Sequence, residues 1–487
     1  MLGSYRDLVF ATESVGVPNA MKRKRFRAIS VFSGAMGLDI GLEETGEFET
    51  LAAVEVSPVF CETIRRNRDA GRTARRRLRV YEGDIRSLDP LEIMRDLSLK
   101  PGDLDLLVGG PPCQSFSTSG KRGTVQDPRG TLIWDFLRFV RAFQPRYFLM
   151  ENVRGLLSAA IKHRPMRERP ERGGPPLLPE EEPGSVVRLF ASDLKAMDGS
   201  PYHVDIFEVN AVNYGAPQLR ERVLFIGNRF NRVTEFPTPT HGDGEGLLPF
   251  RTLGDAIKDL REEKPVLLDF SPRKKTFLSL IPPGGNWRSL PPKLQKESMG
   301  KAYVAKGGRS GWWRRLSFDL PSPTILTLPN HASTSLCHPE EVRVLSLREC
   351  ALVQEFPPSW EFAGTTQEQY TQVGNAVPVR LGVVAGRVLA EAIREVRKRH
   401  TRSAKAAADM RVVYLRSHVR TRMWFKQGSV YLWNDGGENE DAKYSRPVTE
   451  RRVRSIEPRS TGRAIKPLPL FPDHDPDGRP RARASAK

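Results

Sequence analysis

Between Arg27 and Met150 the chain repeats one pattern, a short apolar run followed by a longer amphipathic stretch. The runs fall at 28–32 (AISVF), 50–55 (TLAAVE), 77–81 (RLRVY), 104–108 (LDLLV) and 146–150 (RYFLM), with helix-like stretches such as 56–68 and 132–143 between them. Strands that alternate with helices imply a doubly wound, mostly parallel α/β sheet. In such a sheet ligands sit beyond the carboxyl ends of the strands. The residues at those ends are therefore the ones to read for chemistry.

After the first run comes FSGAMGLDIGLE, Phe32 to Glu43. Gly34 and Gly37 permit a tight turn and close backbone approach to a ligand, with a helix following. Glu55 ends the second run, where an acid can grip ribose hydroxyls, and Asp84 follows the third. Two acids at consecutive strand ends suit a nucleoside, whose amino group and hydroxyls need acceptors. No GK[ST] follows the glycines, which argues against a triphosphate. The fourth run leads into GGPPCQSFS, where Pro111 and Pro112 stiffen the approach to Cys113. A free thiol is only a few per cent thiolate at neutral pH, so a nucleophilic Cys113 needs help from its substrate or surroundings. A zinc deaminase would need a second cysteine after PCxx, and none is there. The fifth run ends in MENVRGL, which puts Glu151 near Cys113 as a proton donor or acceptor. QLRERV carries Arg220 and Arg222 on one face of a further strand, 222–227. VGNAVP, Val373 to Pro378, precedes a helix.

The net charge of +19 and pI of about 9.9 favour a polyanionic partner, nucleic acid first. Residues 397–487 hold 22 Lys and Arg against 10 Asp and Glu, so most of that charge lies in a basic tail, expected to be disordered. The four cysteines make no CxxC pair, so neither a metal site nor a disulfide framework is expected. No apolar run approaches the length of a membrane span, and a cytoplasmic, nucleoid-associated protein is expected. Residues 1–26 form a polar extension and 27–228 a first domain, within which the Pro-, Gly- and charge-rich stretch 163–184 reads as a mobile insertion. Residues 229–340 lose periodicity and read as a separate, irregular domain, and 341–396 return to the first.

Taken together and in this order, these segments resemble the DNA (cytosine-5) methyltransferase family from Arg27 to about Val396. FSGAMG is similar to the family's first cofactor motif, PPCQ to its catalytic loop, ENV to its acid motif, QxRxR to its arginine motif and GNAVP to its closing cofactor motif. DPRGTL, Asp127 to Leu132, is similar to the segment after the catalytic loop. Many members have Gly where this chain has Met36, whose side chain must then point away from the cofactor. The resemblance implies a seven-stranded S-adenosylmethionine-dependent methyltransferase sheet, with 229–340 as its target-recognition domain. It implies S-adenosyl-L-methionine held by Phe32, Gly34, Gly37, Leu38, Glu55, Val56, Asp84, Ile85, Pro111, Leu132, Asn375 and Val377. It implies double-stranded DNA as partner and a monomer in action, either in a restriction-modification system, with an endonuclease that makes no stable contact, or as a solitary modification enzyme. Segment 307–334 is similar to that of members reading GG…CC sites.

The family chemistry implies that the Cys113 thiolate adds to carbon 6 of a flipped-out cytosine and makes carbon 5 enamine-like. Glu151 then supplies a proton or strong hydrogen bond at ring nitrogen 3. Arg222, with Arg220 as second candidate, holds the ring carbonyl or the Glu and Cys network. The loop from Ser115 to Arg129 is expected to close over the DNA. Related enzymes use the same set on tRNA cytosine, and an idle DNA-binding protein could keep the fold. An amine methyltransferase would offer an aromatic residue after its prolines to stack the base.

Overall fold

The computed structural model describes residues 24–74, 76–112, 132–197, 201–242, 245–304, 311–406, 408 and 410–415, with the backbone of 449–453. Its strands are β1 (Phe26–Val31), β2 (Phe48–Glu55), β3 (Arg79–Glu82), β4 (Leu106–Gly109), β5 (Tyr147–Asn152), β6 (His203–Asn210), β7 (Glu221–Asn228), β8 (Met410–Leu415) and β9 (Thr449–Val453). They form one sheet in the order β3-β2-β1-β4-β5-β7-β6-β8-β9. β3 through β5 run parallel, and β7 is antiparallel to both β5 and β6. Order reverses at β1, between β2 and β4, which is where a doubly wound sheet opens a crevice at its carboxyl ends.

The expected seven strands are thus joined by two more. β8 lies in the stretch expected to be disordered, yet it pairs parallel with β6, and β9 pairs antiparallel with β8. Met410 and Val412 bury into one face of the sheet, Val413 and Leu415 into the other. Arg411 reaches the buried carboxylate of Asp205 at 2.9 Å. The rest of the tail, 416–448 and 454–487, lies outside the described residues.

The helices are α1 (Gly37–Glu44), α2 (Pro58–Asp69), α3 (Pro90–Asp96), α4 (Leu132–Phe143), α5 (Ser185–Lys195), α6 (Leu253–Ile257), α7 (Pro272–Leu278), α8 (Pro292–Met299), α9 (Leu347–Val353), α10 (Thr366–Asn375) and α11 (Val379–Lys398). None among the described residues is long and apolar enough to cross a membrane. α3, α4 and α5 cover one sheet face, where Phe136, Phe139 and Phe190 pack on Phe148 and Phe225. α1 and α11 cover the other, with Leu38, Leu42, Leu381 and Leu389 over Leu106, Leu149 and Leu224.

α1 and α11 cross at glycines. A Cβ at Gly41 would lie 2.2 Å from the Val379 carbonyl oxygen and 2.7 Å from the Gly382 Cα, closer than any side chain tolerates. Gly41→Ala therefore has to push the helices apart, at a cost of about 1–3 kcal/mol. A lowered urea midpoint is the expected result, and an unchanged one would mean that the crossing yields freely.

The stretch 163–184, expected to be mobile, is tied back on itself. Arg164 bonds the Pro175 carbonyl oxygen at 2.7 Å and pairs with Glu181, while Arg188 pairs with Glu182 at 2.9 Å. Within 229–340, Phe277, Trp287, Leu290 and Trp313 build a core of their own, which also takes in Val344. Trp313 is buried, and Trp312 packs against the same core.

Candidate active site

A cavity opens at the carboxyl ends of β1, β2 and β3, lined by Phe32, Val54, Glu55, Val56, Gly83, Asp84, Ile85, Arg86, Pro112 and Leu132. The loop that forms one wall bends sharply, because Phe32, Gly34 and Met36 all take left-handed backbone angles, with φ of 55°, 55° and 65°. For Phe32 and Met36 that conformation costs about 1–2 kcal/mol each, and strain of this kind persists only where surrounding structure enforces it. Met36 recovers the cost by burial at 1% exposure, in a cluster with Ile40, Ala53 and Tyr370 and off the cavity lining. Its side chain points away from the cavity.

Glu55 ties the loop to β2. One carboxylate oxygen accepts from the Gly34 N–H at 2.8 Å, the other from the Ser57 N–H at 3.0 Å. Burial pushes its carboxyl above the ordinary range, and backbone N–H bonds from Ser57, Gly34 and Val56 oppose that. Asp84 stands at the end of β3 with its carboxylate forked by Arg86, Nε lying 3.0 and 2.9 Å from its two oxygens. That fork holds Asp84 below its usual range. Two carboxylates with the apolar faces of Phe32, Ile85 and Leu132 fit a nucleoside, which offers hydroxyl and amino donors around a flat ring.

Other expected cofactor residues stand behind this wall. Gly37 starts α1 hard against the closing motif, where a Cβ would meet the Val377 carbonyl oxygen at 2.4 Å. Leu38 and Val377 are buried in the sheet core. Asn375 ends α10 and offers its carbonyl to Arg220 at 3.4 Å. Pro111 is buried, its carbonyl oxygen held by Asn152 Nδ2 at 3.2 Å, and it is the exposed Pro112 that lines the cavity instead. Arg86 and Gly83 were missed, although both flank Asp84 in EGDIR.

In the first turn of α1, Asp39 is buried. Its Oδ2 accepts from Ser30 Oγ at 3.0 Å, and its Oδ1 has no partner among the described residues. Burial pushes its pKa up to about 8. The unfolded chain releases this proton near pH 4 and the folded one keeps it to about 8, so folding loses stability as pH rises between the two. Asp39→Asn, which keeps an acceptor for Ser30, is expected to flatten that loss. Its Tm should gain on wild type by at least a few degrees from pH 4 to pH 8; parallel curves would refute it.

The acid of ENV sits at the end of β5. β4 and β5 pair in register from Leu106–Tyr147 to Gly109–Met150, which sets Glu151 beside Gly110 at the foot of the PPC loop. A Cβ at Gly110 would lie 3.0 Å from Glu151 Oε2, so the glycine leaves that oxygen its room. On the other side, Arg222 Nε lies 2.5 Å from Oε1. β7 pairs Leu224 with Glu151, and alternation sends Arg222 to the same face one step along. The Nε–H is not aimed at the oxygen, so the contact is ionic rather than an aligned hydrogen bond. Asn152, through Pro111, fixes the start of the loop that carries the thiol. Cys113 itself, the loop from Ser115 to Arg129, and Asp127 to Thr131 lie outside the described residues. Cys61, Cys337 and Cys350 are buried, and burial pushes the first two thiols up to about 12 and the third well above its ordinary value. They serve packing, and none of them competes for a nucleophile's role.

Arg220, expected beside the reacting base, is turned into the interior. It is 2% exposed, and its guanidinium reaches the carbonyl oxygens of Ile325 at 3.0 Å, Gly374 at 2.9 Å and Asn375 at 3.4 Å. Burial, then the charge of Arg222, hold its pKa well below the ordinary value. Two-residue spacing gives both arginines one face, but Arg220 precedes β7 and its face there is covered by α10 and the segment around Ile325.

The profile described as C-5 cytosine-specific DNA methylase matches residues 26–391. The chain is 34% identical to the Type II methyltransferase M.Sau96I of Staphylococcus aureus over 385 residues, 77% of this chain and 78% of that one. It is 34% identical to M.PspPI of Psychrobacter sp. (strain TA137) over 75% of this chain and 79% of the relative. It is 32% identical to M.Eco47II of Escherichia coli over 77% and 81%. With a profile that spans both the cofactor wall and the Glu151–Arg222 pair, the chain belongs to the C-5 cytosine-specific DNA methylase family.

Proposed function

We propose that this protein methylates carbon 5 of a cytosine within a specific duplex DNA sequence, with S-adenosyl-L-methionine as donor. The observation that carries the reading is the Glu151–Arg222 pair at the foot of the PPC loop, next to a cavity shaped for a nucleoside. Glu55 and Asp84 would hold the cofactor's hydroxyl and amino groups, and Phe32, Ile85 and Leu132 its ring. The bound cofactor supplies a methyl group on a sulfonium, which leaves as a neutral thioether.

The chain's own residues make the base reactive. The Cys113 sulfur forms a bond to carbon 6 as its proton passes to solvent or a nearby base. Glu151, which must take up a proton when the base enters beside it, donates that proton to ring nitrogen 3 and so neutralises the charge that addition places on the ring. Arg222, already paired with the Glu151 carboxylate, would hold the ring carbonyl. After carbon 5 has gained the methyl, a base removes its proton, the double bond between carbons 5 and 6 re-forms as the bond from sulfur to carbon 6 breaks, ring nitrogen 3 returns its proton to Glu151 and the thiolate leaves. A stacked base cannot meet these groups, so the cytosine leaves the helix at a cost of a few kcal/mol. The basic composition supports a nucleic-acid partner. The names of the relatives support a place in a restriction-modification system, with an endonuclease that need not touch this chain.

The test is transfer of labelled methyl to duplex DNA and to tRNA, with duplexes carrying GG…CC first, since segment 307–334 resembles that of members reading such sites. Bisulfite sequencing of host DNA with and without the gene then gives the site. Labelling of tRNA alone, or of nothing, would overturn the reading.

A further inference from the structure

The least expected feature of the interior is a buried arginine with no carboxylate on it. Arg220 carries its charge among carbonyl oxygens, and its Nε has no partner among the described residues. For packing alone an apolar side chain of that volume would serve as well or better. What the guanidinium does is fork. One nitrogen holds Ile325, in the last part of the irregular domain, and the other holds Gly374 and Asn375 of the closing cofactor motif.

Neighbouring groups make that fork a stiff link. Gln218, wholly buried, donates to the Val353 carbonyl at 3.0 Å and to Gln354 Oε1 at 2.7 Å, and its own oxygen accepts from the Ile325 N–H at 3.4 Å. Gln354 in turn donates to the carbonyls of Val373 and Ala376 at 2.6 and 3.1 Å. Thr324 Oγ1 bonds the Leu219 carbonyl at 2.6 Å. Gly374 is pressed on the chain at Leu326 and Thr327, where a Cβ would come within 2.5 Å of the backbone. On its far side the closing motif bears on the start of α1 at Gly37. A shift of residues 324–327 thus has a route of direct contacts to the wall of the cofactor cavity.

We propose that Arg220, braced by Gln218, is a positioning residue that couples engagement of duplex DNA by the 229–340 domain to cofactor affinity. This rests on the reading that the domain meets DNA. Movement of residues 324–327 on DNA is carried by the fork to Gly374 and Asn375, and through them to Gly37. Coupling of this kind is reciprocal: bound cofactor tightens DNA by the same factor that DNA tightens cofactor.

The experiment titrates the full chain with S-adenosyl-L-homocysteine, alone and with a saturating duplex that the wild type methylates. The wild type is expected to bind the probe about 5- to 150-fold more tightly with the duplex present. Arg220→Met, which fills the same space without the fork, is expected to bind each ligand singly yet lose most of that factor. Thr324→Val, which removes a single bond at the edge of the link, is expected to lose part of it and serves where Arg220→Met does not fold. A factor near one in the wild type, or the full factor in a folded variant, overturns the coupling and leaves the methyltransferase reading intact. A wild type that methylates no duplex overturns both.

Discussion

Cys113→Ser is expected to lower methyl transfer to duplex DNA by at least ~10⁴-fold while DNA binding stays measurable. A serine hydroxyl is far less acidic than a thiol, so far less of the nucleophilic anion is available to attack. The other described cysteines cannot substitute, since Cys61, Cys337 and Cys350 are buried in the packing of the two domains. The surroundings of the loop remain in the variant. Asn152 still holds Pro111, and Glu151 still faces Gly110. Binding and chemistry therefore separate, and a gel-shift assay beside a labelled-methyl assay reads both. Turnover within tenfold of wild type would remove Cys113 from the mechanism.

Glu151→Gln should cost about 10²- to 10⁴-fold in turnover, the range of a positioned proton donor. The amide can still offer a hydrogen bond to ring nitrogen 3, so the base is held, but no proton can be passed and charge stays on the ring. Arg222, within 2.5 Å of the carboxylate in wild type, loses its counter-charge in the variant. Some loss of thermal stability should accompany the change. Assays well below the variant's Tm separate the two effects. If rate falls only in step with the folded fraction, Glu151 supports the fold and not the chemistry.

The sheet was legible because each strand from β1 to β5 is a short apolar run, and most end in a glycine, an acid or a proline. The ends of β1, β2 and β3 line the cavity, and that of β5 faces Gly110 and Arg222, so Phe32, Glu55, Asp84 and Glu151 could be picked out from spacing and chemistry. What spacing does not carry is reach. Arg220 and Arg222 share a face by alternation, yet one meets Glu151 and the other is enclosed by carbonyls of α10 and of Ile325. Nothing local marks which arginine is which. β8 was hidden for another reason: MRVVYL is a good strand of six residues inside a tail whose charge dominates any average. Its partner residue, Asp205, lies two hundred positions earlier. Pro111 and Pro112 are alike in sequence, and only the folded structure tells them apart: Pro111 is buried with its carbonyl held by Asn152, and Pro112 is exposed to the cavity.

The glycine crossing of α1 and α11 also sets a timetable. The ribosome makes α1 near the start and α11 only after the whole 229–340 domain has emerged. With synthesis at about 5–20 residues per second, Gly41 waits roughly 20–70 s for Gly382. Through that interval the apolar side of α1, with Leu38 and Leu42, has no cover, and the cofactor wall has no backing at Gly37. Residues 229–340 are therefore complete, with their own core, before α11 can close on α1 and back the sheet.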